Sequence, residues 1–347
     1  MVGCRGCLQA ARWRRNSMCS LAIALMCVLA VDAQSTRSER RAVAARGERS
    51  PRVFRTPWGD PDLQGTWSNQ TLTPLERPPE FANKPVLSES EAADYEKRLL
   101  RENDADVRTP GTRRDVNTAY NNVWWDRGNK IVADRRTSLI VDPPDGRIPP
   151  LTTGGRDRAE RERQLASSNV EEHAASWLDF DVYSRCIMRS GLPRLSTGYN
   201  NNYEIVQTPG YVAIFQEQIH ETRLIPLNGL PHLPATVRQW LGDSRGHWEG
   251  DTLVVETTNF TDQARGSLFR NATKSMVLVE KWRRLDDRTI DYQFTVSDPE
   301  TWTRPWTVKM PWNRIDGLVY EYACHEGNLS MQHMLEAARA AEKQQTK

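Results

Sequence analysis

Between residues 289 and 296 apolar and polar side chains alternate without a break. Ile290, Tyr292, Phe294 and Val296 fall on one face, and Thr289, Asp291, Gln293 and Thr295 on the other. Successive side chains of a strand point to opposite sides, so this is the pattern of a strand with one face in a core and one toward solvent. Similar short segments recur around it, separated by turn residues. Glu249-Gly250-Asp251 precedes 252–260, 276–284 runs into Asp286-Asp287, Asp298-Pro299 leads into 302–310, and Asp316-Gly317 precedes 318–324. Trp302, Trp306 and Val308 share a face of their segment. Turn residues between short alternating runs are the punctuation of antiparallel hairpins. The expected fold is therefore mainly β, an antiparallel barrel or sandwich with peripheral helices. No tandem repeat of roughly 20–50 residues is present.

The N-terminal third is more mixed. Strands are expected at 63–69, 119–125 and 137–141, the last closed by Asp142-Pro143-Pro144-Asp145-Gly146. Residues 88–101, SESEAADYEKRLLR, read as a helix capped by Ser88, with acids in the first turn and arginine late. Further helices are expected at 156–165 and 330–343. Residues 179–202 have few regular signals and read as a long ordered loop.

Residues 1–33 have the form of a signal peptide. Arg5, Arg12, Arg14 and Arg15 precede the apolar run 18–31, and Val31-Asp32-Ala33 is a small-residue cleavage site. The apolar run is shorter than the roughly 18–20 residues needed to span a bilayer. Residues 34–53 read as a polar flexible linker, and 54–343 as a single β-rich domain. The whole chain has 47 basic and 45 acidic side chains, and the leader contains four arginines and one aspartate, so the mature protein is close to neutral. That balance argues against nucleic acid or an anionic membrane surface as a partner. The expected location is periplasmic or secreted, with no membrane association after cleavage and a small molecule as the partner. Of six cysteines only Cys186 and Cys324 lie beyond the leader, and two cysteines in an exported chain point to a disulfide.

No nucleophile elbow, phosphate-binding loop, dinucleotide fingerprint or His-x-x-x-His or Cys-x-x-Cys metal pair occurs. The chemistry-bearing residues that remain are concentrated in 211–227, YVAIFQEQIHETRLIPL, and at Cys324-His325-Glu326. The first stretch reads as a strand or a bent pair of strands. Unbroken alternation would put Glu217, Glu221 and Arg223 on one face and His220 on the other. His220 and His325 are the expected proton carriers, with Glu217 or Glu326 as carboxylate partner and Arg223 as anion clamp. Glu221, Trp125, Trp248 and Tyr203 are the expected substrate contacts, the aromatic rings offering stacking surfaces. Core packing is the competing account of the tryptophans Trp67, Trp124, Trp125, Trp248, Trp282, Trp302 and Trp306. His220, His232, His325 and Glu326 could meet at a metal, but their spacing does not require one, and neither a metal nor another cofactor is expected.

Two resemblances accompany these readings. Gly65-Thr66-Trp67 resembles the Gly-x-Trp of the first strand of lipocalin-like barrels, which implies a ligand-binding barrel. The segments 61–67 (PDLQGTW), 136–147 (RTSLIVDPPDGR), 246–260 (GHWEGDTLVVETTNF), 298–306 (DPETWTRPW) and 320–328 (YEYACHEGN) resemble a large family of exported, uncharacterised bacterial β-rich proteins. That resemblance implies an exported bacterial protein and brings no reaction with it. The expected function is acid–base chemistry, as a lyase, isomerase or hydrolase, on a small organic or sugar-like substrate. The alternative is a non-catalytic lipocalin-like protein binding an apolar or aromatic ligand.

Overall fold

The structure is a computed structural model that describes residues 54–108, 110–112, 121–167, 174–189, 191–261 and 272–345. The expected signal peptide, the linker and residues 119–120 of the expected strand 119–125 lie outside these.

Ten strands form one antiparallel sheet that curls into a nearly closed barrel. They are β1 (Gly65–Ser68), β2 (Ile140–Asp142), β3 (Asn202–Thr208), β4 (Tyr211–Gln216), β5 (Thr222–Pro226), β6 (Asp243–Glu249), β7 (Thr252–Thr258), β8 (Val277–Arg284), β9 (Thr289–Ser297) and β10 (Trp306–Arg314). The order around the sheet is β5-β4-β3-β1-β10-β9-β8-β7-β6, with β2 paired to β10. Three helices decorate it among the described residues: α1 (Glu89–Glu102), α2 (Thr153–Ser167) and α3 (Ser330–Gln345).

The alternation in 289–296 becomes the barrel wall. Ile290, Tyr292, Phe294 and Val296 are buried, as are their neighbours Trp306, Val308, Met310 and Trp312 on β10 and Leu278 and Trp282 on β8. The rings fill the interior by packing directly against one another, stacked, tilted or edge-on. Trp282 lies 4.1 Å from Tyr292 and 4.6 Å from Trp312, and Tyr203 lies 4.2 Å from Trp312, centroid to centroid. Each such side chain contributes about 1.5–3 kcal/mol or more by leaving water, so these rings are the principal core.

The two terminal strands of the path, β5 and β6, meet through side chains rather than through a hydrogen-bonded ladder. Gly246 on β6 permits this approach. A Cβ placed there would lie 2.7 Å from Leu227 Cδ2 and 2.8 Å from Ile225 Cγ2.

Helix α1 starts as its sequence dictates. Ser88 Oγ accepts from Glu91 N and Glu91 Oε2 accepts from Ser88 N, a reciprocal cap. Its apolar stripe, Ala92, Tyr95 and Leu99, packs on Leu72, Leu87, Ile131 and Phe81 as a small second core.

Three expectations need correction. Residues 318–324 form no strand, because the chain after β10 leaves the sheet and is held by side-chain contacts and a disulfide. Asn122–Trp124 is a single 3-10 turn rather than strand. Trp302 precedes β10 and packs edge-on against Trp306 at 5.6 Å from outside the strand.

Candidate functional site

At the barrel end where β3 begins and β4 turns into β5, loop segments enclose a cleft of about 1110 Å³. Its walls come from the 123–126 turn, the loop before β3, Glu217 after β4, and the segment 321–324 with the start of α3. The Cys186–Cys324 disulfide ties two of these walls together, with a Cα separation of 5.8 Å.

Three tyrosines on two separate loops converge here. Tyr183 Oη lies 2.9 Å from both Tyr199 Oη and Tyr322 Oη. Burial pushes all three phenols up from their ordinary value, so they stay protonated at neutral pH and present hydroxyls that donate and accept. Trp124 is largely exposed beside them. Trp125 stands edge-on to Tyr199 at 6.1 Å. Gly198 makes room for the indole, since a Cβ there would fall 2.8 Å from Trp125 Cζ3. The Arg127 guanidinium lies over the Trp125 ring at 4.0 Å.

Three carboxyl groups line the cleft: Asp126, Glu217 and the exposed Glu321. Burial raises the Asp126 carboxyl from its ordinary value. Hydrogen bonding from Asn201 opposes that shift, and the negative charge of Glu217 adds to it. Glu217 is 5% exposed, and its Oε2 accepts from Asn202 Nδ2 at 2.9 Å. A carboxyl that burial makes harder to ionise and a hydrogen-bonded carboxyl thus face one open space, with environments that differ. Trp125 and Asp126 also line a second cleft, of about 1090 Å³, that runs along α1.

The residues singled out from sequence divide among four places. Glu217 and Trp125 line the first cleft. Glu221, Arg223 and Tyr203 are buried inside the barrel end. Arg223 Nη2 lies 2.6 Å from Glu280 Oε2, off the alignment of a directed hydrogen bond, while Arg223 Nε donates to Ser244 and its Nη2 to Thr257. Glu221 Oε2 accepts from Arg194 Nη1 at 2.7 Å, and Tyr292 Oη donates to Glu280 Oε1 at 2.7 Å. Burial pushes the Tyr203 phenol up to about 12. Arg223 Nη1, Arg194 Nη2 and both amide atoms of Gln218 are buried without a protein partner.

His220, His325 and Glu326 are exposed. The two histidine rings are 6.4 Å apart, and His220 Nδ1 is 3.0 Å from the Tyr322 carbonyl oxygen. A carbonyl only accepts, so the imidazole proton sits on Nδ1. His232 is remote from them, bridging Asp243 at 2.9 Å and Glu256 at 3.2 Å. Trp248 is half-buried on β6.

The separation of Glu217, His220 and Arg223 has a backbone cause. Residues 218–220 form a 3-10 turn in which Ile219 and His220 take left-handed φ values of 58° and 43°. The turn resets the alternation, so even-numbered residues face inward on β4 and odd-numbered ones on β5. The expectation of one uninterrupted alternation across 211–225 is corrected accordingly.

Asp126, Tyr183 and Tyr322 were not among the expected site residues. The signal for Asp126 was its place directly after two adjacent tryptophans; the tyrosines carry no local signal, because their meeting spans 139 residues. No family model matches this chain and no curated protein is significantly similar to it, so the cleft is interpreted from its own geometry.

Proposed function

We propose that the protein is an exported hydrolase acting on a sugar-like substrate bound in the 1110 Å³ cleft. The observation that carries this reading is the placement in one cleft of Asp126, whose carboxyl burial makes harder to ionise, and of Glu217, which accepts a hydrogen bond from Asn202. Two carboxyl groups in unlike environments divide acid and base roles between them. Asp126 donates its proton to the oxygen of the bond being broken. Water attacks the carbon on the other side, and Glu217 accepts the proton released by that water. Trp124 and Trp125 offer faces on which a sugar ring can stack, and the tyrosine hydroxyls and Asn202 offer hydrogen bonds to its hydroxyls. The aromatic filling of the barrel favours the end cleft over the barrel interior as the place for a ligand. Export is supported by the basic-then-apolar leader and by the disulfide.

The test is hydrolysis of a panel of disaccharides and methylumbelliferyl glycosides by the purified protein. At least one is expected to be turned over, with Asp126→Asn and Glu217→Gln each lowering kcat by about 10²–10⁴. The double variant His220→Ala, His325→Ala is expected to keep activity within about threefold. Turnover that survives both carboxyl substitutions, or no turnover across the panel, would refute the reading.

A further inference from the structure

The two clefts share a wall, and that wall carries Asp126. Trp125 and Asp126 contribute to the first cleft of about 1110 Å³ and to the second of about 1090 Å³. Either volume exceeds the ~300–1000 Å³ that encloses a compact drug-sized ligand. A site for a single sugar needs one such space, whereas a proton donor between two spaces suits a ligand that extends both ways from it. The second cleft is lined by amides and charges of both signs. Asn103, Asn122 and Asn129 face it, and its Lys130 and Glu96 neutralise each other at 2.8 Å. Counted over the whole lining, four acidic and four basic side chains balance, which suits hydroxyl groups better than a chain of carboxylates or phosphates, which would call for an excess of cations.

Resting on the hydrolytic reading of the first cleft, we propose that the substrate is a linear, uncharged polyhydroxylated chain lying across both clefts and cut at an internal linkage beside Asp126. Trp124 and the tyrosines hold the chain on one side, and the amides beside Arg127 hold it on the other. The bond between the linkage oxygen and its carbon breaks as that oxygen takes the Asp126 proton. Water forms the new carbon–oxygen bond and gives its proton to Glu217. Solvent returns a proton from Glu217 to Asp126, and each cleft is left holding one fragment.

The test uses the chain carrying Asp126→Asn, so that binding is read without turnover. Ladders of glucan, xylan, mannan and chitin oligosaccharides from dimers upward serve as probes in calorimetry. For one ladder, affinity is expected to rise by at least about tenfold from the dimer to the longest member. Adding Trp124→Ala in one cleft, or Asn129→Ala in the other, is expected to abolish most of that rise. The unsubstituted protein is expected to shorten the matching polymer to intermediate lengths before any monosaccharide appears. Affinity that does not grow with length, or no binding by any ladder, overturns the extended substrate. If Asp126-dependent hydrolysis of small glycosides persists alongside flat length dependence, the hydrolytic reading stands and only the extension falls. Length-dependent binding with no hydrolysis by the unsubstituted protein supports the extended ligand and removes the hydrolytic reading.

Discussion

Tyr183 and Tyr322 are 139 residues apart in the chain, yet their hydroxyl oxygens lie 2.9 Å apart. They precede Cys186 and Cys324, whose disulfide closes a loop of 138 residues. The covalent link and the phenol contact therefore hold the same two loops together. In the chain-entropy account a loop of that length stabilises the fold by about 4–5 kcal/mol. Replacing both cysteines by alanine is expected to lower the urea midpoint accordingly and to weaken ligand binding in the cleft. Peptide mapping without reductant should recover Cys186 and Cys324 as one linked pair; recovery as separate free thiols would contradict the pairing.

Asp126 should make stability fall as pH rises. Its carboxyl is raised in the fold, so between the ordinary carboxylate value of about 3.9 and its folded value the native state binds the extra proton. Stability is greatest below that window and declines through it as the desolvated carboxylate ionises. Asp126→Asn is therefore expected to raise Tm at pH 7, with the gain shrinking toward pH 4. A gain that is equal at both pH values would show that the effect is not ionisation.

The same proton predicts a dependence on the leaving group. A nitrophenolate leaves with little protonation, whereas a sugar alkoxide needs it. Asp126→Asn is expected to slow a disaccharide by about 10²–10⁴ and a nitrophenyl glycoside by far less. The activity of the unsubstituted protein should fall on the alkaline side as Asp126 ionises. Equal losses on both substrates would assign Asp126 a role other than proton donor.

Inside the barrel, Arg223 and Glu280 are 4% and 0% exposed and 2.6 Å apart. Removing one partner leaves the other charge buried, which costs about 3–5 kcal/mol. Arg223→Met is expected to lose that much in urea unfolding, and Arg223→Met with Glu280→Gln to lose clearly less than the sum of the single losses. Additive losses would show that the two side chains do not interact.

Gly246 is the point at which the ends of the sheet meet. A methyl carbon added there would lie 2.7 Å from Leu227 and 2.8 Å from Ile225, so Gly246→Ala must push β5 from β6 or twist their side chains. The expected cost is about 1–3 kcal/mol, read by chemical denaturation. An unchanged midpoint would mean that this seam yields freely.

Much of the frame was readable along the chain. The alternation of Ile290, Tyr292, Phe294 and Val296 and the cap at Ser88 are local signals, each set by a few neighbouring residues, and both appear in the fold. The 318–324 segment misled for the same reason. A turn signal followed by apolar residues resembles a hairpin, but whether a strand forms depends on an open sheet edge to receive it. The site was less readable. Glu217 and Trp125 were visible as a carboxylate on an apolar stretch and a ring offering a stacking surface, but the break at Ile219 and His220 depends on backbone angles that no pattern of side chains announces.

By itself the chain's sequence determined the β-rich class, the main strands of the meander, the capped first helix and the two cysteines beyond residue 33, because periodicity, caps and composition are properties of neighbouring residues. Only the tertiary structure decided that Asp126 and Glu217 line one cleft, that three tyrosines share it, and that Arg223 lies inside the barrel rather than beside His220. Those arrangements join residues separated by long stretches of chain, and burial and proximity arise only once the sheet has closed and the loops are tied across its end.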